Sequence, residues 1–197
     1  MKLEDINLSL FESLNAPVGF SGAPLALAIA ACKYPVVILV ALLAFLWIKR
    51  TSPDRAHLIS IGLSVVVALA INYVVGAAFP HPRPFMVGIG QTFLPHSAES
   101  SFPSDHATMM WTLAFGLLLY RPLRPWGCLA ALLAAITSWA RVFLGLHFPF
   151  DILGSLMAAA AALAVIIPLQ PWVARSIAPV VERLYLRTTN WIRQGLA

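Results

Sequence analysis

The run AHLISIGLSVVVALAINYVVGAA, from Ala56 to Ala78, carries no Asp, Glu, Lys or Arg over its 23 positions. About 20 mostly apolar residues suffice for a helix to cross a bilayer, so this stretch predicts a transmembrane span. Four further runs of the same character, each bounded by charge, Pro or Gly, lie to either side of it. One ends at Trp47-Ile48 and begins between Pro24 and Tyr34; the others cover Ser104 to Tyr120, Trp126 to Leu146 and Pro149 to Ile167. Lys33 and Pro35 interrupt the first of these. That segment reads either as an interfacial helix followed by a span or as one long tilted span whose Lys33 snorkels. The expected fold is therefore all-α, a polytopic membrane helical bundle with five transmembrane helices. A sixth, N-terminal interfacial or re-entrant helix is the remaining option.

Composition supports this. Of 197 residues, 60% are hydrophobic and 11% charged, where a soluble domain carries roughly 25% charged residues. No charged or Ser/Gly-rich linker divides the apolar blocks, so residues 1–197 read as one domain. Residues 1–23 form an N-terminal interfacial segment within it. Residues 171–197, which mix Val, Ile, Leu and Trp with arginines, read as an amphipathic tail on the cytoplasmic membrane surface or as a solvated basic tail. The net charge of +5 sits in short clusters beside apolar stretches, the membrane-protein pattern, and this excludes nucleic acid as a partner. Cys32 and Cys128 lie in apolar segments without a Cys or His at metal-ligand spacing and read as small lipid-buried residues. The opening MKLEDINLSLFESLN has acidic residues where a signal peptide has a basic region, so no cleaved signal is expected.

Basic residues set the expected orientation. Lys49, Arg50 and Arg55 follow the first span, Arg121 and Arg124 the third, and Arg175, Arg183, Arg187 and Arg193 the fifth. All fall on one side, which the positive-inside rule makes cytoplasmic. The long segment from Phe79 to Pro103 and the turn around His147 then face the opposite, extracytoplasmic side of a bacterial-type inner membrane.

Arg83 and Arg141 break that rule. Charged groups in or beside a span cost several kcal/mol unless paired, so they are functional candidates by default. His81, His96 and His106 share their side. Ser100-Ser-Phe-Pro-Ser-Asp-His-Ala107 stands immediately before an apolar run and reads as a helix start. Ser104 or Asp105 can cap it, and the free N–H groups of its first turn favour an anion such as phosphate. Farther on, His147 and Asp151 are four residues apart, with Pro149 suited to a first helical turn between them. Their side chains can share one helix face. A carboxylate on one ring nitrogen fixes the tautomer and leaves the other nitrogen free to attack.

With these residues in place, the sequence resembles the type 2 phosphatidic acid phosphatase superfamily of membrane lipid phosphatases. The pattern of that superfamily is Lys-x6-Arg-Pro, then Pro-Ser-Gly-His, then Ser-Arg-x5-His-x3-Asp. Arg83-Pro84 matches the first block, Pro103-Ser104-Asp105-His106 the second, and Arg141 through His147 to Asp151 the third. Three departures stand out: Gly76 replaces the first-block Lys, Asp105 the usual Gly, and Ala140 the Ser before Arg141. His81-Pro-Arg-Pro-Phe85, with the run from His96 to Thr108, is similar to the bacitracin-resistance type of undecaprenyl-diphosphatase within the superfamily.

The resemblance implies a substrate, a polyprenyl diphosphate lipid, and a set of roles. His147 is implied as the nucleophile that becomes phosphohistidine, Asp151 as the group that holds its ring, and His106 as the acid that protonates the departing lipid phosphate. Arg83, Arg141 and Ser104, with Pro103 and Asp105 beside them, are implied to cradle the phosphate. Glu99 and His81 are secondary candidates, and His96, in the same outer loop as His81, could also touch substrate. No metal or other cofactor is expected, because arginines can neutralise the charge that Mg²⁺ handles in other phosphoryl transfers. Two kinds of reading compete: a phosphatase or phosphotransferase acting on another lipid phosphate such as phosphatidylglycerol phosphate or lipid A, and an anion transporter.

Overall fold

The computed structural model describes residues 2–195, without the side chains of residues 190 and 192–195, so Arg193's side chain and residues 196 and 197 lie outside the description. Among the described residues every regular element is a helix. α1 covers Leu3–Leu14, α2 Gly22–Lys49, α3 Ser52–Ala78, α4 Asp105–Leu119, α5 Arg124–Phe143 and α6 Pro149–Ile166. Each expected span coincides with one of α2 to α6, and the sixth, N-terminal helix is α1.

α2 is one helix of 28 residues that carries Lys33 and Pro35 within it. Of the two readings open for that segment, the structure adopts the single long helix. The helical stretches Gly22–Lys49, Ser52–Ala78, Arg121–Phe143 and Pro149–Thr189 are long and apolar enough to cross a membrane. Only 22% of the α2 window and 28% of the α3 window are buried within the protein. Their outward residues, such as Val37 and Val66, present apolar surface suited to lipid.

α4 differs. Its 15 residues rise about 22 Å, less than the roughly 30 Å of bilayer hydrocarbon. Packing compensates, because α4 is enclosed by α3, α5 and α6 and its backbone meets protein more than lipid. Small residues permit the close approach, with Ala114, Ala130 and Ala134 fully buried in the shared core. Buried hydroxyls are satisfied along the helices: Ser60 donates to the Ala56 carbonyl, Ser64 to that of Ser60 and Thr112 to that of Thr108. This pattern suits a medium without water.

The tail, for which the sequence left open a surface amphipathic helix or a solvated basic segment, is helical, and the helical backbone continues past α6 through Pro168, Pro171 and Pro179. It runs through a 3-10 turn (Ile167–Leu169), the short α7 (Gln170–Trp172) and a π-helical stretch (Val173–Ile177) into α8 (Ala178–Gly195). Each proline removes one intrahelical hydrogen bond, and the 3-10 and π turns absorb the mismatch. α8 docks on the α2–α3 hairpin instead of standing alone. Ser52 donates to Glu182, and the Arg55 guanidinium lies 5.5 Å from the Trp47 ring centre and 5.2 Å from that of Tyr185.

The bundle has two chemically distinct ends. At one, His57 stacks on Tyr120 at 3.6 Å and Gln170 lies beside His57, so the basic clusters after α2, α4 and α6 gather together. At the other lie the N-termini of α4 and α6, the C-termini of α3 and α5, and the segment 79–104 strapped across them. Phe93 N–H donates to Leu144 O and Ser101 N–H to His81 O. Gly145 has φ +76 and lies so close to the Gln91 carbonyl that a Cβ would collide with it. Only glycine allows the strap to press on this turn.

Candidate active site

α6 begins with Pro149, whose missing N–H costs nothing in a first turn. Asp151 follows in that turn and accepts the Phe148 N–H at 2.8 Å. The same oxygen, Oδ2, stands 3.2 Å from His147 Nδ1 and also accepts the Ser101 hydroxyl. The carboxylate that caps the helix therefore holds the imidazole. His147 Nδ1 is also 3.0 Å from the Ser101 carbonyl oxygen, so every neighbour on that side favours a proton on Nδ1 and a lone pair on Nε2.

Nε2 faces two guanidinium groups. Arg83 Nη1 lies 3.0 Å from it and Arg141 Nη2 lies 3.3 Å away. Arg83 reaches inward from the strap, fixed by the carbonyls of Leu146 (3.2 Å) and Ser100 (3.4 Å). Arg141 comes from the last turn of α5 and also reaches His96 Nε2 at 3.0 Å. Both arginines are at most 5% exposed and neither forms a salt bridge with a carboxylate among the described residues. Two buried cations without a carboxylate partner are expensive, and an anion repays that expense. Burial is the main reason that His147 titrates at about 4 instead of 6.5, and the arginines push the same way against the opposing pull of Asp151. Burial, then Arg83 and Arg141, likewise lower the pKa of His96. His147 is therefore neutral at ordinary pH.

Ser104 precedes α4. Its N–H donates to Ser155 Oγ at 3.0 Å, while its own hydroxyl, like Arg83 Nε and Arg141 Nε, is buried without a hydrogen-bond partner among the described residues. Among the described residues no side chain caps α4, so its first-turn N–H groups stay available to an anion. His106, in that turn, lines a hollow of about 270 Å³ together with Lys33, Cys32, His96, Arg141 and Leu146.

Not every expected residue joins this group. Asp105 and Pro103 line a separate hollow of about 560 Å³, with Asn72, Gly76 and Glu99. Asp105 Oδ1 accepts from Asn72 Nδ2 at 2.8 Å; a carboxylate repels phosphate, and α3 holds this one aside. Glu99 is exposed there and His81 faces elsewhere, with Nε2 3.7 Å from Glu4 of α1. Conversely, Ser101 contacts the histidine–arginine group without having been singled out, whereas His96, considered with His81 as an outer-loop histidine able to touch substrate, reaches Arg141. Ser101 sits two residues before Pro103 in the second block, but only the fold shows that its hydroxyl meets Asp151. The sequence signal for His96 is its place in the same outer loop as His81 and Arg83.

A neutral, oriented imidazole facing two buried guanidinium groups suits phosphoryl chemistry, and the bundle around it is that of a multi-pass membrane protein. Residues 56–175 match the PAP2 superfamily, and the chain belongs to that superfamily. It is 40% identical to the putative undecaprenyl-diphosphatase YbjG of Escherichia coli (strain K12), over 79% of this chain and 78% of that protein. With the undecaprenyl-diphosphatase BcrC of Bacillus subtilis (strain 168) it shares 27% identity over 78% of this chain and 79% of that one. In fold, it resembles the crystal structure of Aquifex aeolicus LpxE, with a TM-score of 0.68, 21% identity, and coverage of 85% of this chain and 99% of that one.

Proposed function

We propose that this protein is an undecaprenyl-diphosphatase, which hydrolyses the carrier lipid diphosphate to the monophosphate and inorganic phosphate, recycles the carrier for cell-wall synthesis and so confers bacitracin resistance. The observation that carries this reading is His147, with Nδ1 on Asp151 at 3.2 Å and Nε2 between Arg83 and Arg141. The YbjG and BcrC relatives support the choice of substrate.

In the proposed reaction Nε2 of His147 attacks the terminal phosphorus in line. An N–P bond forms as the P–O bond to the inner phosphate breaks, and the negative charge gathers on the leaving oxygen. His106 gives that oxygen a proton. Arg83 and Arg141 hold the equatorial oxygens, and Ser104 with the first-turn N–H groups of α4 completes the cradle. Water, losing a proton to His106, then cleaves the phosphohistidine and frees inorganic phosphate.

The chain acts as a single domain. Its site opens on the extracytoplasmic side of the inner membrane and its C-terminus is cytoplasmic, because the end opposite the site gathers the basic clusters. The test is phosphate release by purified, bilayer-reconstituted protein from undecaprenyl diphosphate, phosphatidylglycerol phosphate and phosphatidic acid in parallel. The expected result is highest kcat/KM for the diphosphate and no release after His147→Ala. A newly phosphorylated lipid without free phosphate, or preference for another lipid, overturns the assignment.

A further inference from the structure

Gly76 stands where the superfamily carries a lysine, so one positive charge is missing from the first block. A side chain at that position would meet Ser100 and the Phe102 carbonyl at about 3.5 Å, in the hollow that also holds Glu99 and Asp105. The opposite side of the site is different. There the α2 residue Lys33 lines the hollow of about 270 Å³ with Arg141, His96 and His106, and no carboxylate lines it among the described residues.

Lys33 is placed there by packing. Its neighbour Cys32 is buried against Ala140, Leu144 and Leu146 and its Sγ lies 4.0 Å from Arg141 Nη1. The Thr137 hydroxyl donates to the Ala31 carbonyl at 3.4 Å, which fixes this turn of α2 against α5. A lysine in a membrane helix faces a protein hollow or snorkels to the surface. This one lines a hollow whose other cation, Arg141, keeps a buried Nε without a partner among the described residues.

We propose that Lys33, exposed at the rim of this hollow, is the third cation of the site, and that the hollow it shares with His96, His106 and Arg141 seats the inner, lipid-linked phosphate of a diphosphate substrate. This rests on the diphosphatase reading above. His106, the acid assigned to the leaving oxygen, lines this same hollow, so the leaving phosphate belongs there. Arg141 touches both His147 and His96 and bridges the two phosphate positions.

Competitive inhibition by two non-hydrolysable probes, farnesyl methylenediphosphonate and farnesyl phosphonate, tests the inference, with farnesyl diphosphate turnover as the assay. The wild-type protein is expected to bind the diphosphonate at least about tenfold more tightly, equivalent to about 1.4 kcal/mol. In Lys33→Met that preference falls below about threefold, and in Lys33→Arg it returns. A wild type without the preference, a Lys33→Met variant that keeps it, or equal loss in Lys33→Met and Lys33→Arg overturns the inference. Absence of any wild-type phosphate release from farnesyl diphosphate or undecaprenyl diphosphate instead defeats the diphosphatase reading beneath it.

Discussion

Asp151 Oδ2 serves His147 Nδ1 at 3.2 Å and the Phe148 N–H at 2.8 Å. One oxygen thus orients an imidazole and starts a helix.

Asp151→Asn keeps the shape of this group but can present an N–H where Nδ1–H needs an acceptor. Turnover of the lipid diphosphate is expected to fall by about 10²- to 10⁴-fold, the scale on which a wrong tautomer acts in comparable triads. Loss of the helix cap adds roughly 1 kcal/mol of destabilisation. Phosphate-release rates and detergent melting curves read the two effects separately; wild-type turnover in the variant contradicts the orienting role.

His106→Ala removes the proposed proton donor and not the nucleophile. Lipid diphosphate turnover should drop by about 10²- to 10⁴-fold, whereas phosphohistidine formation from an activated aryl phosphate, whose leaving group needs no proton, should suffer much less. Equal losses on both substrates would show that His106 does something other than protonate the leaving oxygen.

Replacing Arg141 by Lys keeps the charge but gives up the planar guanidinium, whose Nη2 lies 3.0 Å from His96 and 3.3 Å from His147 while Nη1 lies 4.0 Å from Cys32 Sγ. A loss of about 10²- to 10³-fold in kcat/KM is expected, the scale of one charge-assisted contact to developing charge. Arg83→Lys should behave alike, since its Nη1 also serves two partners. Steady-state kinetics on both variants decide this, and retention of more than a tenth of wild-type kcat/KM refutes it.

The His147 environment predicts a pH signature. The unfolded chain protonates this ring near 6.5 and the folded protein only near 4. Between those values the unfolded state binds more protons, so stability is lost as pH falls from 6.5 toward 4, with no slope from this residue above 6.5. His147→Asn removes that contribution, and its melting temperature should decline less steeply with acid than that of the wild type. Parallel curves would mean that burial does not hold this ring neutral.

The hydrophobic runs made the spans legible in the sequence, because a bilayer imposes a length that few other environments demand. α3 ends at Ala78 and α6 begins at Pro149, both where charge, Pro and apolar runs had put them. Arg83 and Arg141 announced themselves by violating the charge rule. Lys33 was visible too, but as an interruption: which neighbour a lysine faces depends on how α2 packs against α5, and no local pattern encodes that. Asp105 shows the reverse limit. Its position in the second block pointed to phosphate, whereas its partner, Asn72, comes from 33 residues upstream. The tail's mixture of apolar residues and arginines left a surface helix and a solvated segment both open, because its packing partners, Trp47 and Arg55 against Tyr185, come from the distant α2–α3 hairpin.

α1 and the residues after it bear on how the protein can be handled. Asn7 accepts the Phe150 N–H at 3.1 Å, while Asn15 and the Ala16 N–H both donate to the Phe143 carbonyl, at 3.0 and 2.9 Å. Both flanks of the loop bearing His147 are thereby stapled to a segment more than a hundred positions away in the chain. Trimming ahead of α2 would remove that staple directly, whereas reporters attached beyond α8 would join the chain far from it in sequence.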